Sequence, residues 1–281
     1  MNALSDTVSD PAASLREPKQ IGPIRYTPET IERILTGLQA LAVDVRPYTI
    51  DVAAYLAYAA AADYERRYPD YYRSNIREKS LEHFIAADLL RLQPDDVYID
   101  IASEGSPVPE IYYRLAHCTT YRQDLTYPPG LTGDTIGGDA AALPVPEGFA
   151  SKMGLHCSFE HFEGDADVRF MREVRRVLRP GGAVCIVPLY LFDVYAIQTD
   201  PAVAVAAGVQ FDPDAVLYCD VTWGNRHGRF YDPAHLVGRV QQQLGDLRLT
   251  VHRITNAKDV DPSCYVEFAA LITSARGSEN G

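Results

Sequence analysis

The chain has no long apolar run, no clustered cysteines, no dinucleotide-type glycine fingerprint and a shortage of cations. No stretch of 18 uninterrupted apolar residues occurs, so no membrane span is expected. The nearest candidate, 52–62, is Ala- and Tyr-rich and too short. The first 20 residues are polar without an apolar centre, so no secretory signal is expected. Five cysteines (Cys118, Cys157, Cys185, Cys219, Cys264) lie far apart, with no C-x-x-C pair and no companion histidine spacing. That argues against a structural zinc site and for free thiols in a reducing, cytoplasmic setting, and no metal is expected. Lys and Arg total 26 against 38 Asp and Glu, a net charge of −12. Such a chain has no electrostatic reason to bind nucleic acid or an anionic membrane. The four arginines within 172–179 read as the solvated face of a helix. The absence of G-x-G-x-x-G makes an NAD-type enzyme the weakest reading.

What remains is an ordinary globule of 281 residues, 47% hydrophobic and 23% charged. Its 18 tyrosines, grouped in part at 55–72 and 112–127, suit a wet pocket wall or an interface. Residues 1–26 read as a disordered tail, and 276–281 as a frayed end. A helical cap is expected over 27–93. Thr27-Pro28 starts its first helix and Pro47 ends it, and further helices are expected over 50–67 and 75–91. From Asp95 the period changes. Strands are expected at 97–101, 119–123, 135–138, 151–156 and 183–188, with helices at 109–117 and 165–178 between them. That alternation predicts an α/β domain over 94–276 with a mostly parallel sheet flanked by helices. A closing pair of strands at 247–255 and 265–273 is expected to be antiparallel, and 189–246 reads as an irregular insert over the substrate.

Four phrases occur in order along this region. Asp100 ends the first strand and leads into Ala102-Ser103-Glu104-Gly105-Ser106-Pro107. Small residues at that point let backbone N–H groups and a helix N-terminus approach a nucleotide-like ligand. The alternative is a plain strand-to-helix turn with Ser106 as cap. Next come Gly138-Asp139-Ala140, Phe159-Glu160-His161-Phe162 and Arg179-Pro180-Gly181-Gly182. Over roughly 95–190 the chain resembles class I S-adenosylmethionine (SAM)-dependent methyltransferases of the type 11 kind. The resemblance implies a Rossmann-like, seven-stranded sheet and SAM as cofactor. It departs from the family in the first loop, where a GxGxG-like phrase is usual and only Gly105 stands here.

By the same resemblance, Asp100 orders the first loop and the SAM amino group. Ala102, Ser103, Glu104, Gly105 and Ser106 form that loop. Asp124 accepts the ribose hydroxyls, with Asp134 in reserve, and Asp139 and Ala140 meet adenine. Asp124 and Asp139 equally suit ordinary turns. His156 follows the fourth strand, facing the methyl group, and is the first candidate for a base, with His161 and His227 as further catalytic candidates. Cys157 stands where metal-binding relatives carry an acid. In the insert, Trp223, Arg226, Arg229 and Tyr231 can hold an acceptor by stacking and by charge, or can belong to a surface loop docked on the N-terminal helices.

These readings converge on methyl transfer to a hydroxyl of a small molecule or glycan. A repurposed, non-catalytic methyltransferase-like binding module is the alternative, favoured by the glycine-poor first loop.

Overall fold

The computed structural model describes residue 12 and residues 15–274. The chain first makes a short strand, β1 (Lys19–Ile21), then helix α1 (Pro28–Ala40). Thr27 caps α1 by accepting the Thr30 N–H at 3.2 Å, Pro28 sits in the first turn, and Ile34 and Leu38 bury one face. Strand β2 (Asp44–Tyr48) precedes α2 (Val52–Ala62), α3 (Tyr64–Arg67) and α4 (Ile76–Leu90). The single helix expected over 50–67 is broken at Asp63, whose φ of 59° ends α2.

The α/β region follows as β3 (Val97–Ile101), α5 (Val108–Ala116), β4 (Thr119–Asp124), β5 (Gly130–Thr132), β6 (Thr135–Gly137), β7 (Ala150–His156), α6 (Ala166–Val177) and β8 (Leu178–Val187). Then come β9 (Ala196–Thr199), α7 (Pro201–Ala207), β10 (Val216–Cys219), β11 (Gly228–Phe230), α8 (Pro233–Arg239), β12 (Arg248–Ile254), α9 (Ala257–Val260) and β13 (Phe268–Thr273).

The main sheet has the order β2-β12-β13-β8-β7-β3-β4-β6-β5. Strands β6, β4, β3, β7 and β8 run parallel, while β13 is antiparallel to both β8 and β12. The expected mostly parallel, Rossmann-like sheet is therefore present, with its antiparallel closing pair. Short β5 and β2 extend its two edges and raise the strand count to nine. The chain leaves β3 toward β4 and later returns to place β7 on the other side, and open α/β sheets bind ligands outside the carboxyl ends of strands at such a reversal.

Side chains alternate across this sheet. Ile99, Ile101, Met153, Leu155 and Val184 pack with Phe170, Met171 and Val174 of α6. On the opposite face, Tyr98, Cys185 and Val187 pack with Leu81 and Ile85 of α4 and Ile111 and Tyr112 of α5. Gly182 explains the Pro-Gly-Gly phrase, since a Cβ there would lie 2.7 Å from the Ser151 carbonyl oxygen.

Two expectations about organisation are corrected. Residues 27–93 are more than a helical cap, because β2 joins the main sheet beside β12 and α4 packs on β7 and β8. The tail expected over 1–26 is in part structured, because β1 pairs with β10 and Ile24 donates its N–H to Gln198 Oε1 at 2.8 Å. Residues 1–11, 13, 14 and 275–281, which include the rest of that tail and the expected frayed end, lie outside the described residues. The insert over 189–246 is more regular than expected, supplying β9, β10 and β11 of a second, four-stranded sheet ordered β1-β10-β9-β11.

Candidate functional site

The carboxyl ends of β3, β4, β6 and β7 converge on a cleft of about 310 Å³. Ala102, Gln123, Asp124, Asp139 and Ala140 line one side, and His161, Phe162, Glu163, Arg169 and Arg226 line the other. The loop after β3 holds a conformation that favours glycine, with φ of 52° at Ala102, 32° at Glu104 and 77° at Gly105. Left-handed backbone costs a non-glycine residue roughly 1–2 kcal/mol, and it persists where neighbours over-determine it. Those neighbours are on β4 and just beyond it. Ala102 N–H donates to Gln123 Oε1 (3.1 Å), Ser103 N–H to the Gln123 carbonyl (2.9 Å) and Glu104 N–H to Asp124 Oδ2 (3.0 Å). Tyr127 OH then meets Ser103 Oγ at 3.1 Å and accepts from Gly105 N–H at 3.3 Å.

Gln123 also donates to the Gly138 carbonyl at 2.6 Å, tying the turns after β3 and β6 together. Asp124 is buried. Its Oδ1 accepts from Thr126 N–H (2.9 Å) and Thr126 Oγ1 (2.8 Å), which leaves acceptor capacity on Oδ2. Asp139 Oδ1 caps the Ala141 N–H at 2.9 Å, while Oδ2 accepts from Arg169 at 2.9 Å. Partial burial raises the Asp139 pKa, but the Ala141 N–H and Arg169 outweigh it and leave the carboxyl below its ordinary range. Asp100, 1% exposed and two residues before Ala102, accepts from Tyr98 OH at 3.1 Å, while its Oδ2 has no hydrogen-bond partner. Burial pushes its pKa up to about 7.

The catalytic expectation for His156 is corrected. Strand alternation turns its ring away from the cleft, against His83 (centroids 4.9 Å apart) and toward Tyr98 OH at 3.1 Å. Burial, reinforced by Lys79, pushes its pKa down to about 3. His227 is likewise buried, donating from Nδ1 to the Glu160 carbonyl at 3.1 Å, with its pKa pushed to about 3 by burial and then by Arg229. His161 does line the cleft. Its Nδ1 lies 2.5 Å from the His227 carbonyl oxygen and must donate there, so a neutral ring leaves Nε2 as an acceptor.

Two substrate-binding expectations are also corrected. Arg229 has no exposed side-chain surface, and pairs with Asp212 at 2.8 Å and Asp167 at 3.2 Å while donating to the Phe162 and Gly164 carbonyls. Tyr231 is buried and donates to the same Asp167 at 2.7 Å. These groups clamp the insert to α6. Arg226 lines the first cleft and pairs with Glu163 at 2.7 Å. Trp223 lines a second cleft, of about 610 Å³, which meets the 159–163 turn at Glu160. Tyr26, Glu160, Tyr190, Phe230 and Tyr265 line it as well.

Sequence reasoning missed Gln123 and Arg169 in the first cleft, and Tyr127, which braces the loop after β3 from beyond β4. Gln123 carried one available signal, an amide directly before Asp124 at the end of an expected strand. Among the described residues, no group of three or more His, Cys, Asp or Glu side chains is arranged to hold a metal.

Residues 115–186, which hold the last three of the four phrases, match the family model described as a methyltransferase domain, and the resemblance is borne out. Among solved structures, the Burkholderia thailandensis 1,6-didemethyltoxoflavin-N1-methyltransferase, with bound 1,6-didemethyltoxoflavin and S-adenosylhomocysteine, is similar at 13% identity. That match covers 82% of this chain and 94% of that one, with a TM-score of 0.46. A Haemonchus contortus phosphoethanolamine N-methyltransferase 1, in complex with phosphoethanolamine and S-adenosylhomocysteine, matches at 12% identity over 83% of this chain and 51% of that one (TM-score 0.41). The PH0226 protein of Pyrococcus horikoshii matches at 15% identity over 76% and 99% (TM-score 0.42). No curated protein matches the chain significantly.

Proposed function

We propose that this chain is a SAM-dependent methyltransferase acting on a small-molecule acceptor, with the nucleoside in the 310 Å³ cleft. The observation that carries the reading is the loop after β3. It keeps a glycine-like path at Ala102 and Glu104 despite their side chains, held there by Gln123 and Asp124 at the mouth of the cleft. Such strain is kept where a ligand requires the shape.

The residues present fit the cofactor. Asp124 keeps a free lone pair for a ribose hydroxyl, Asp139 and Ala140 suit an adenine edge, and Asp100 Oδ2 suits a cationic amino group. The bound cofactor would supply an electrophilic methyl on a sulfonium. This chain contributes binding and orientation, holding the acceptor in line and excluding water. With His156 buried, no described histidine other than His161 combines exposure to the cleft with an available ring acceptor. His161 is therefore the residue that would take a proton from an acceptor hydroxyl.

Glu104 favours the second reading, a binding module without turnover, because a side chain stands where the backbone path suits glycine. Labelled SAM incubated with the protein and a small-molecule extract separates the two. Transfer of label to a small molecule, lost in His161→Ala with S-adenosylhomocysteine binding intact, supports catalysis through His161. Binding of that nucleoside with no transfer from any extract supports the module.

A further inference from the structure

The second cleft adjoins the proposed nucleoside site at the 159–163 turn, where Glu160 lines the second cleft and His161, Phe162 and Glu163 line the first. Five aromatic residues surround it: Tyr26, Tyr190, Trp223, Phe230 and Tyr265. The buried one among its carboxylates is Glu160, 5% exposed, whose Oε2 has no hydrogen-bond partner. Its ion-pair partner is His161, at 3.7 Å, which counts only when protonated. The other charged groups of this cleft are satisfied or at the rim. Glu267 pairs with Arg253 at 2.7 Å, Asp220 is used by the Thr222 N–H and hydroxyl, and Arg25 and Lys258 are exposed. Charges at an exposed rim are screened by solvent and salt, whereas a buried carboxylate is not.

A buried carboxylate oxygen without a partner is costly unless something supplies one. Aromatic faces around it attract a cation through their quadrupole and do not compete for its charge. We infer that the second cleft binds the positively charged ammonium group of a small molecule, with Glu160 as its counter-ion and the aromatic side chains as its walls. This deepens the proposed function, on which it rests for the identity of the ligand as the methyl acceptor. It also narrows the acceptor class from hydroxyl compounds in general to those that carry an amine.

Trp223 is the chain's sole tryptophan and lines this cleft, so its fluorescence reports occupancy directly. The test titrates the protein with choline and, separately, with its neutral carbon isostere, 3,3-dimethylbutan-1-ol. Choline is expected to change Trp223 emission with an affinity about tenfold or more above that of the isostere. Glu160→Gln is expected to erase the preference. Should that variant fail to fold, Phe230→Leu is expected to weaken choline binding while leaving the melting shift given by S-adenosylhomocysteine. Equal binding of choline and isostere, no emission change with either, or an unchanged preference in Glu160→Gln overturns the inference. A retained shift with S-adenosylhomocysteine in the same samples shows that only this inference has failed. Loss of that shift with choline selectivity intact removes the methyl-transfer reading and leaves the ammonium site standing.

Discussion

Replacing Ala102 by glycine is expected to stabilise the protein, although it removes a methyl group from a lined cleft. Ala102 holds φ of 52°, a region that costs an L-residue roughly 1–2 kcal/mol. Glycine removes that cost but gives the unfolded chain about 0.4–1 kcal/mol more freedom. The difference is a gain of roughly 0.5–1 kcal/mol, or about 1–4 °C in Tm for a chain of this size. The same arithmetic holds for Glu104→Gly, with φ of 32°. A control is Ala183→Gly in β8, a buried strand position, where glycine is expected to cost about 0.5–1 kcal/mol. Urea unfolding followed by circular dichroism measures all three. The affinity for S-adenosylhomocysteine is measured alongside, and is expected to rise in Glu104→Gly because backbone N–H groups can then approach the ligand more closely. If both loop glycines melt below the wild type, the loop is not strained, and the physical argument for a preserved nucleotide-binding shape fails.

Further expectations follow from the buried charges. Arg229→Met leaves Asp167 and Asp212 without their shared buried partner and is expected to cost about 3–5 kcal/mol; a loss under 1 kcal/mol in urea unfolding would contradict the clamp. Asp100 has its folded pKa raised by burial to about 7, above roughly 3.9 for an unfolded aspartate. Its contribution to stability is therefore fully present below pH ~4 and is lost as pH rises toward about 7. Asp100→Asn should remove that fall, so the wild-type-minus-variant stability should decline between those pH values; a flat difference contradicts the assignment. Gly182→Ala drives a Cβ to 2.7 Å from the Ser151 carbonyl oxygen, and a loss of roughly 1–3 kcal/mol is expected, read as a lower urea midpoint.

The sheet was legible where strands are buried on both faces, because such strands read as unbroken apolar runs, as 183–187 does. Lys19–Ile21 and Asp44–Tyr48 escaped because they are short, polar edge strands, one of them carrying Pro47, and nothing local distinguishes them from a turn. Ala102, Asp124, Asp139 and Ala140 reach one cleft because each stands at or just past a strand's carboxyl end, which sequence position alone conveys. His156 also stands at a strand end but faces the other way. Met153 and Leu155 occupy the α6 face of β7, so the alternation within that strand already assigned His156 to the opposite side. Arg229 was out of reach of any such reading, since its partners Asp212 and Asp167 come from segments 17 or more residues away. The same holds for the second cleft, which brings together Tyr26, Glu160 and Tyr265 from distant parts of the chain.

Calorimetric titration of the purified protein with S-adenosylhomocysteine bears most directly on the nucleoside site. One saturable event per chain is expected, weakened about tenfold or more in Asp124→Asn, which removes a carboxylate acceptor but keeps its size. No heat at millimolar ligand under several buffers, or equal affinity in Asp124→Asn and the wild type, would contradict that placement.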